Sequence, residues 1–266
     1  MSGSEQLQAC EDFWETDMGA WFPGQRVVFR GKDLFEYGEH VSWTKLVFYG
    51  ISGREFDQRE LKMLESMMIF GSSFPDPRLW NNRVAALAGT ARSTATLAIA
   101  AANAVTEAKV FGHRPILKAY DYLAQGVKAT EQGECAEEFV FSWMKKERCV
   151  PGFGRPVVEV DERVGPLMKV ARDLGFDDGL HVKFAFKTEE ILSSSRYKLG
   201  MNAAALVSAL AADMGVGMRN FYMFSWLSFV GGMFPCYVDA LQKPQGSFFP
   251  LSCNRISYKG QGRRNW

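Results

Sequence analysis

Histidine is scarce in this chain: His40, His113 and His181 are the only three in 266 residues. They lie far apart, and no pair has the spacing of metal ligands, so a dedicated metal site is not expected. Cysteine is also sparse and oddly numbered. Cys10, Cys135, Cys149, Cys236 and Cys253 contain no Cys-x-x-Cys pair, which argues against a disulfide framework or a zinc ribbon. Reduced thiols and a cytoplasmic setting are the expectation. Net charge is nearly absent, with Lys+Arg at 31 against Asp+Glu at 30. A chain balanced in this way has no global field to draw in nucleic acid or an anionic membrane. No run of about 20 apolar residues occurs, so no membrane span is expected. The polar start, Met1-Ser2-Gly3-Ser4-Glu5, does not read as a signal peptide. Walker A, dinucleotide-binding and nucleophile-elbow motifs are missing as well.

What is present is apolar area. The chain holds 21 Phe, 8 Tyr and 7 Trp, enough to exclude disorder. Its length suits one large domain, or one domain with a smaller lobe, and not an array. Residues 1–25 read as an irregular arm that docks through Trp14, Trp21 and Phe22. Arg26–Arg30 is the best strand, short and β-branched and ended by Gly31.

The remainder reads as helix, so the fold class is all-α. Asp57 and Glu60 have capping-box spacing, and Leu61, Leu64 and Met68 follow at helical intervals. Leu79–Ala88 is helical, Gly89-Thr90 interrupts, and Ser93-Thr94 can cap a helix to about Val110. That helix is Ala-rich and reads as a close-packed central element, with a subunit interface as a further reading. Phe111-Gly112-His113-Arg114-Pro115 reads as a loop. Helices are expected at about 116–128, 133–148, 161–175, 187–199, 201–215 and 219–241. The last is aromatic along most of its length, from Phe221 to Tyr237. It contains Gly231-Gly232 and Pro235.

The most informative segment runs from Cys149 to Arg163. Gly152 and Gly154 flank Phe153, so the backbone can approach a ligand closely. Asp161 reads as a helix cap with Arg163 in the first turn, where a cation opposes the helix dipole unless an anion uses it. A glycine-rich turn before an ordinary helix and a ligand loop both fit these residues.

The order of segments resembles the citrate synthase superfamily, including its short citryl-CoA-lyase modules, over roughly residues 26–260. Arg30-Gly31-Lys32-Asp33 is similar to that family's Arg-Gly-Tyr-Asp turn. Glu39–Trp43 through Gly53-Arg54 is similar to its next helix and loop. Phe70–Thr90 is similar to the helix pair bearing a His-Ala-Asp-His stretch. Pro151-Gly152-Phe153-Gly154 with Asp161-Glu162-Arg163 is similar to its proline-glycine-aromatic-glycine-histidine loop and Asp-Pro-Arg. Ala203–Gly215 is similar to the helix after the catalytic aspartate, and Tyr258-Lys259-Gly260 to a C-terminal Tyr-x-Gly.

The resemblance implies a two-lobed helical homodimer, with a large lobe of 26–118 plus 207–266 and a small lobe of 119–206. It implies a coenzyme A thioester as substrate, with Val150, Pro151, Gly152, Phe153 and Gly154 against the CoA adenine. Lys109, Arg114 and Lys118 are cations available for its phosphates.

Catalytic positions depart from the pattern. The loop histidine falls on Arg155, and the catalytic aspartate on Asn202, which cannot act as a general base. A substrate arginine falls on Phe229, and Gly71-Ser72-Ser73-Phe74 replaces the His-Ala-Asp-His stretch. Arg163 survives as a substrate ligand. His113 and Asp76 are then the candidate bases. His113 also has the plain reading of a loop histidine, and Asp76, between two prolines, that of a turn residue. The expected activity is a lyase or acyltransferase making or breaking a carbon–carbon bond next to a thioester, not ordinary citrate synthesis. The alternative is a non-catalytic homologue that binds a metabolite or a protein partner.

Overall fold

The computed structural model of the chain describes residues 2–155, 160–247 and 253–262. The elements run α1 (Gly3–Ala9), β1 (Gly19–Phe22), β2 (Arg26–Phe29), β3 (Lys32–Asp33), α2 (Leu34–Gly38), α3 (Trp43–Ser52), α4 (Gln58–Gly71) and α5 (Trp80–Thr90). They continue with α6 (Ala95–Val105), α7 (His113–Glu131), α8 (Ala136–Glu147), α9 (Val164–Leu174), α10 (Leu180–Ser194), α11 (Ala203–Asp213) and α12 (Met218–Gln242). The fold is helical with one small sheet, as the sequence predicts. Contacts divide it into two compact units, Met1–Glu65 and Ser66–Trp266.

In the first unit the arm is not irregular. Ser2 and Glu5 close a capping box on α1, and Gly19–Phe22 pairs antiparallel with Arg26–Phe29. The turn between them, Pro23-Gly24, is closed by Gln25 N–H donating to Phe22 O at 3.0 Å. Ladder bonds order this segment, and its aromatics are not what docks: Trp14 and Trp21 remain 87% and 73% exposed. The unit's buried side chains are Phe48, Tyr49, Phe56, Met63 and Leu64. The Asp57–Glu60 capping box forms, with reciprocal bonds of 2.8 and 2.9 Å. Leu64 is on its buried face as expected, but Met63 and Met67 join it rather than Leu61 and Met68.

The second unit is built around α12. It packs on α5, α6, α7 and α11. Ala85 of α5, Ala98, Ile99 and Ala102 of α6, and Phe229, Met233 and Tyr237 of α12 form one buried cluster. By length and composition α12 is a described helix that could cross a membrane. Its ten buried residues and four packed neighbours make it a core helix here. The Ala-rich α6, capped by Thr94, is not the close-packed central helix that its composition suggests: Ala98, Ile99 and Ala102 pack on the core, whereas Ala95, Ala100, Ala101 and Ala104 are exposed. Gly89-Thr90 does not interrupt α5, because Arg92 donates to Gly89 O, Ala240 O and Lys243 O and so closes the ends of α5 and α12 together.

The connection before α5, and α5 itself, approach α12 so closely that a Cβ on Gly232 would lie 1.7 Å from Ser73 O and 2.8 Å from Asn82 Nδ2. At Gly231 the nearest atom would be Ser72 Oγ at 3.4 Å. Gly232→Ala should therefore destabilise the protein by about 1–3 kcal/mol, as overpacking does. Thermal melts should show that fall, and a near-native Tm for Gly231→Ala.

Candidate functional site

The loop from Val150 to Arg155 is clamped onto the start of α11. Gly154 N–H donates to Gly200 O at 2.7 Å, Asn202 N–H to Gly152 O at 2.9 Å, and Phe153 pairs with Met201. Gly152 has φ +87°, and a Cβ there would lie 2.6 Å from the Ala205 Cβ. Only glycine fits that turn against the helix. Val150 and Phe153 are buried, whereas Pro151, Gly152 and Gly154 are half-buried. Asn202 works as a tie: its Nδ2 donates to Gly154 O at 3.0 Å and its Oδ1 accepts from Ala204 N–H at 2.9 Å. It is the N-cap of α11.

Behind the loop lies Asp161, its side chain fully buried. It was expected to cap the next helix. Instead α9 starts at Val164 with Arg163 at the N-cap position, and Asp161 serves other donors. Its Oδ1 accepts from Arg163 Nε at 2.8 Å and Arg163 N–H at 3.1 Å. Its Oδ2 accepts from Arg163 Nη2 at 2.7 Å and from Ala203 N–H, on α11, at 2.9 Å. Burial pushes this carboxyl up, but the Arg163 guanidinium and the Ala203 amide outweigh it and hold it at about 2. Arg155 Nη1 lies 3.7 Å from Asp161 Oδ1 and donates to Glu162 Oε2 at 2.5 Å. Two guanidiniums thus converge on a buried carboxylate beside a glycine loop.

A second cluster joins α5, α7 and α12. The loop expected at 111–115 ends earlier: His113 opens α7, with Gly112 as its N-cap. Pro115 falls in the first helical turn, where its missing N–H costs nothing. His113 is fully buried, its ring against Phe229 at 4.9 Å and Tyr222 at 5.1 Å. Its Nδ1 lies 3.0 Å from Ser225 Oγ, and that hydroxyl donates its single proton to Tyr222 O at 2.8 Å. Ser225 must therefore accept from Nδ1–H, which leaves the lone pair on Nε2. Nε2 has no partner among the described residues. Burial pushes the imidazole pKa down, against a weaker upward pull from Glu107, so the ring is neutral. Ser73 Oγ donates to Phe229 O at 2.8 Å, Asn81 Nδ2 to Ser73 Oγ at 3.1 Å, and Asn82 Nδ2 to Phe74 O and Asp76 O.

The structure brings Arg155, Arg163, Asn202 and the loop 150–154 together, and it brings His113 and Phe229 together. No described hydrogen bond, ion pair or ring contact joins the two groups. Phe229 is a packing residue of the core. Asp76 accepts three bonds from the Arg78 guanidinium, and that bonding holds its carboxyl below the ordinary range. A carboxylate so engaged is a weak base. Lys109, Arg114 and Lys118 are exposed. Sequence reasoning missed Glu162, Ser225 and the Ser73–Asn81–Asn82 network; paired asparagines at the start of an apolar helix were the available signal. Among the described residues no group of three His, Cys, Asp or Glu could hold a metal.

This arrangement of helices and clamped loop is the citrate-synthase-like fold, in its short form. Citryl-CoA lyase from Hydrogenobacter thermophilus is similar to the chain with a TM-score of 0.83 and 22% identity, over 95% of this chain and 97% of that one. ATP citrate lyase from Methanothrix soehngenii, solved with citrate and coenzyme A, is similar with a TM-score of 0.78 and 17% identity. There the match covers 98% of this chain and 45% of the other. Citrate synthase from Thermotoga maritima gives 0.66 at 20% identity, covering 85% and 60%. No protein-family model matches the chain, and no curated protein matches it in sequence.

The Asp161 pKa is depressed from 3.8 to about 2, so this carboxylate contributes stability that is full above about pH 4 and is lost as pH falls toward 2. The shift corresponds to about 2 kcal/mol. Asp161→Asn should lose at least that much at pH 7 and flatten the acid limb of a pH-dependent unfolding curve.

Proposed function

We propose that the chain acts on a coenzyme A thioester, making or breaking a carbon–carbon bond next to the thioester carbonyl, and that ordinary citrate synthesis is not its reaction. The observation that carries this reading is the convergence of Arg155 and Arg163 beside the glycine loop at the start of α11. A guanidinium recognises a carboxylate in a planar, bidentate way and stays charged. Two of them at one place suit a second substrate bearing carboxylates. Loop residues 150–154 would take the CoA adenine. The similarity to citryl-CoA lyase and to the CoA-bound ATP citrate lyase supports that ligand class. The lobes of 26–118 with 207–266 and of 119–206, a homodimer and a cytoplasmic setting belong to the same proposal.

Asn202 caps α11 and cannot take a proton. Arg78 engages Asp76. His113 remains as the base, because its neutral ring keeps a lone pair on Nε2 and Ser225 fixes the tautomer. Nε2 is closed from solvent in this conformation, so proton abstraction requires the surroundings of α7 and α12 to open.

The engagement of Asn202 and Asp76 also favours the second reading, a CoA-binding protein without catalysis. Thermal shift and proton exchange separate the two. CoA or acetyl-CoA should raise Tm, by about 2.7 kcal/mol of stabilisation at a hundredfold excess over Kd. No shift with any CoA species rejects the ligand class. Acyl-CoA α-proton exchange in heavy water, followed by mass spectrometry, should proceed with the wild type. It should fall by about 100-fold or more in His113→Ala. Binding without exchange establishes the non-catalytic reading.

A further inference from the structure

We infer that Glu162 is a built-in competitor that occupies the Arg155 guanidinium until a carboxylate-bearing substrate displaces it. This rests on the reading of Arg155 as a substrate-carboxylate residue. Asp161 and Glu162 are adjacent, yet their surroundings are opposite. The Asp161 side chain is fully buried and committed to Arg163 and Ala203, so it cannot leave. The Glu162 side chain is 67% exposed. Its one hydrogen bond to another described side chain is the one from Arg155, at 2.5 Å. Arg155 is the less exposed partner at 25%, and it stays 3.7 Å from Asp161. The pair therefore has one largely buried member and one that faces water.

An ion pair of this kind contributes little to stability, because solvent screens it and the glutamate gives up side-chain freedom to hold it. Opening it is correspondingly cheap for a ligand. A carboxylate that arrives can replace Glu162 on the same guanidinium edge, with charge-assisted bonds of equal kind. A neutral or singly charged molecule that does not reach Arg155 leaves the pair closed. Glu162 thereby sets a threshold: the site favours a ligand whose carboxylate can exchange with Glu162 at Arg155, while the Arg163 fork stays committed to Asp161.

Isothermal titration of citrate into the wild type, Glu162→Gln and the Arg155→Gln/Glu162→Gln double variant tests this. Removing the competitor should tighten citrate binding by about two- to fivefold, the range a screened surface pair allows. The double variant should lose that gain. Equal affinity in the wild type and Glu162→Gln, or no measurable binding by either, overturns the inference. A gain that survives in the double variant overturns it too, because the effect would then not pass through Arg155. CoA is titrated separately. If CoA fails to bind while the Glu162→Gln gain appears, the thioester reading falls and the competitor role of Glu162 stands.

Discussion

A carboxylate removed from water must be compensated or it costs several kcal/mol, and Asp161 is such a group. Its two oxygens accept four hydrogen bonds, three from Arg163 and one from the first amide of α11. That requirement fixes more than one residue. It brings the 161–163 segment to the start of α11, forty residues further along the chain, and orients the Arg163 guanidinium. Asn202 then sits at the helix terminus, where it can cap the helix and hold Gly154 O with the same amide group. The glycine loop, both arginines and the start of α11 are one construction because one buried charge needs all its donors.

The second cluster obeys the same rule in neutral form. α5, α7 and α12 bury an imidazole, a serine pair and two asparagines inside an otherwise apolar core. Desolvation keeps the imidazole neutral, and the hydroxyl of Ser225, already donating to Tyr222 O, decides which nitrogen carries its proton. Most polar atoms here are satisfied, and Asn81 Oδ1 and His113 Nε2 are those left without a partner among the described residues. A buried lone pair without a protein partner has a free-energy cost.

The helices were largely legible from the chain, because alternation of apolar residues at helical spacing survives any context. Thr94 and the Asp57–Glu60 pair marked two helix starts correctly, since their bonds are local. The misreadings came where long-range contacts decide. His113 looked like part of a loop because Pro115 follows it, yet proline is well placed in a first turn. Asp161 looked like a local cap, and only the distant Ala203 amide explains where its second oxygen points. Gly89 looked like a break, but it is the contact surface that lets α12 lie against α5. What Arg155 and Asn202 bind was not readable, since their partners Glu162 and Gly154 O are set by the folded loop.

The charge balance of the whole chain is repeated at the site. Arg155 and Arg163 face Asp161 and Glu162, so two positive charges meet two negative ones. An approaching polyanion therefore meets no net local field while all four groups stay paired. Asp161 cannot be displaced without breaking the four hydrogen bonds of a buried carboxylate. Of the two carboxylates, Glu162 is the one that can part from its guanidinium without stripping a buried charge, and the four paired groups leave no surplus of positive charge to gather anions from a distance.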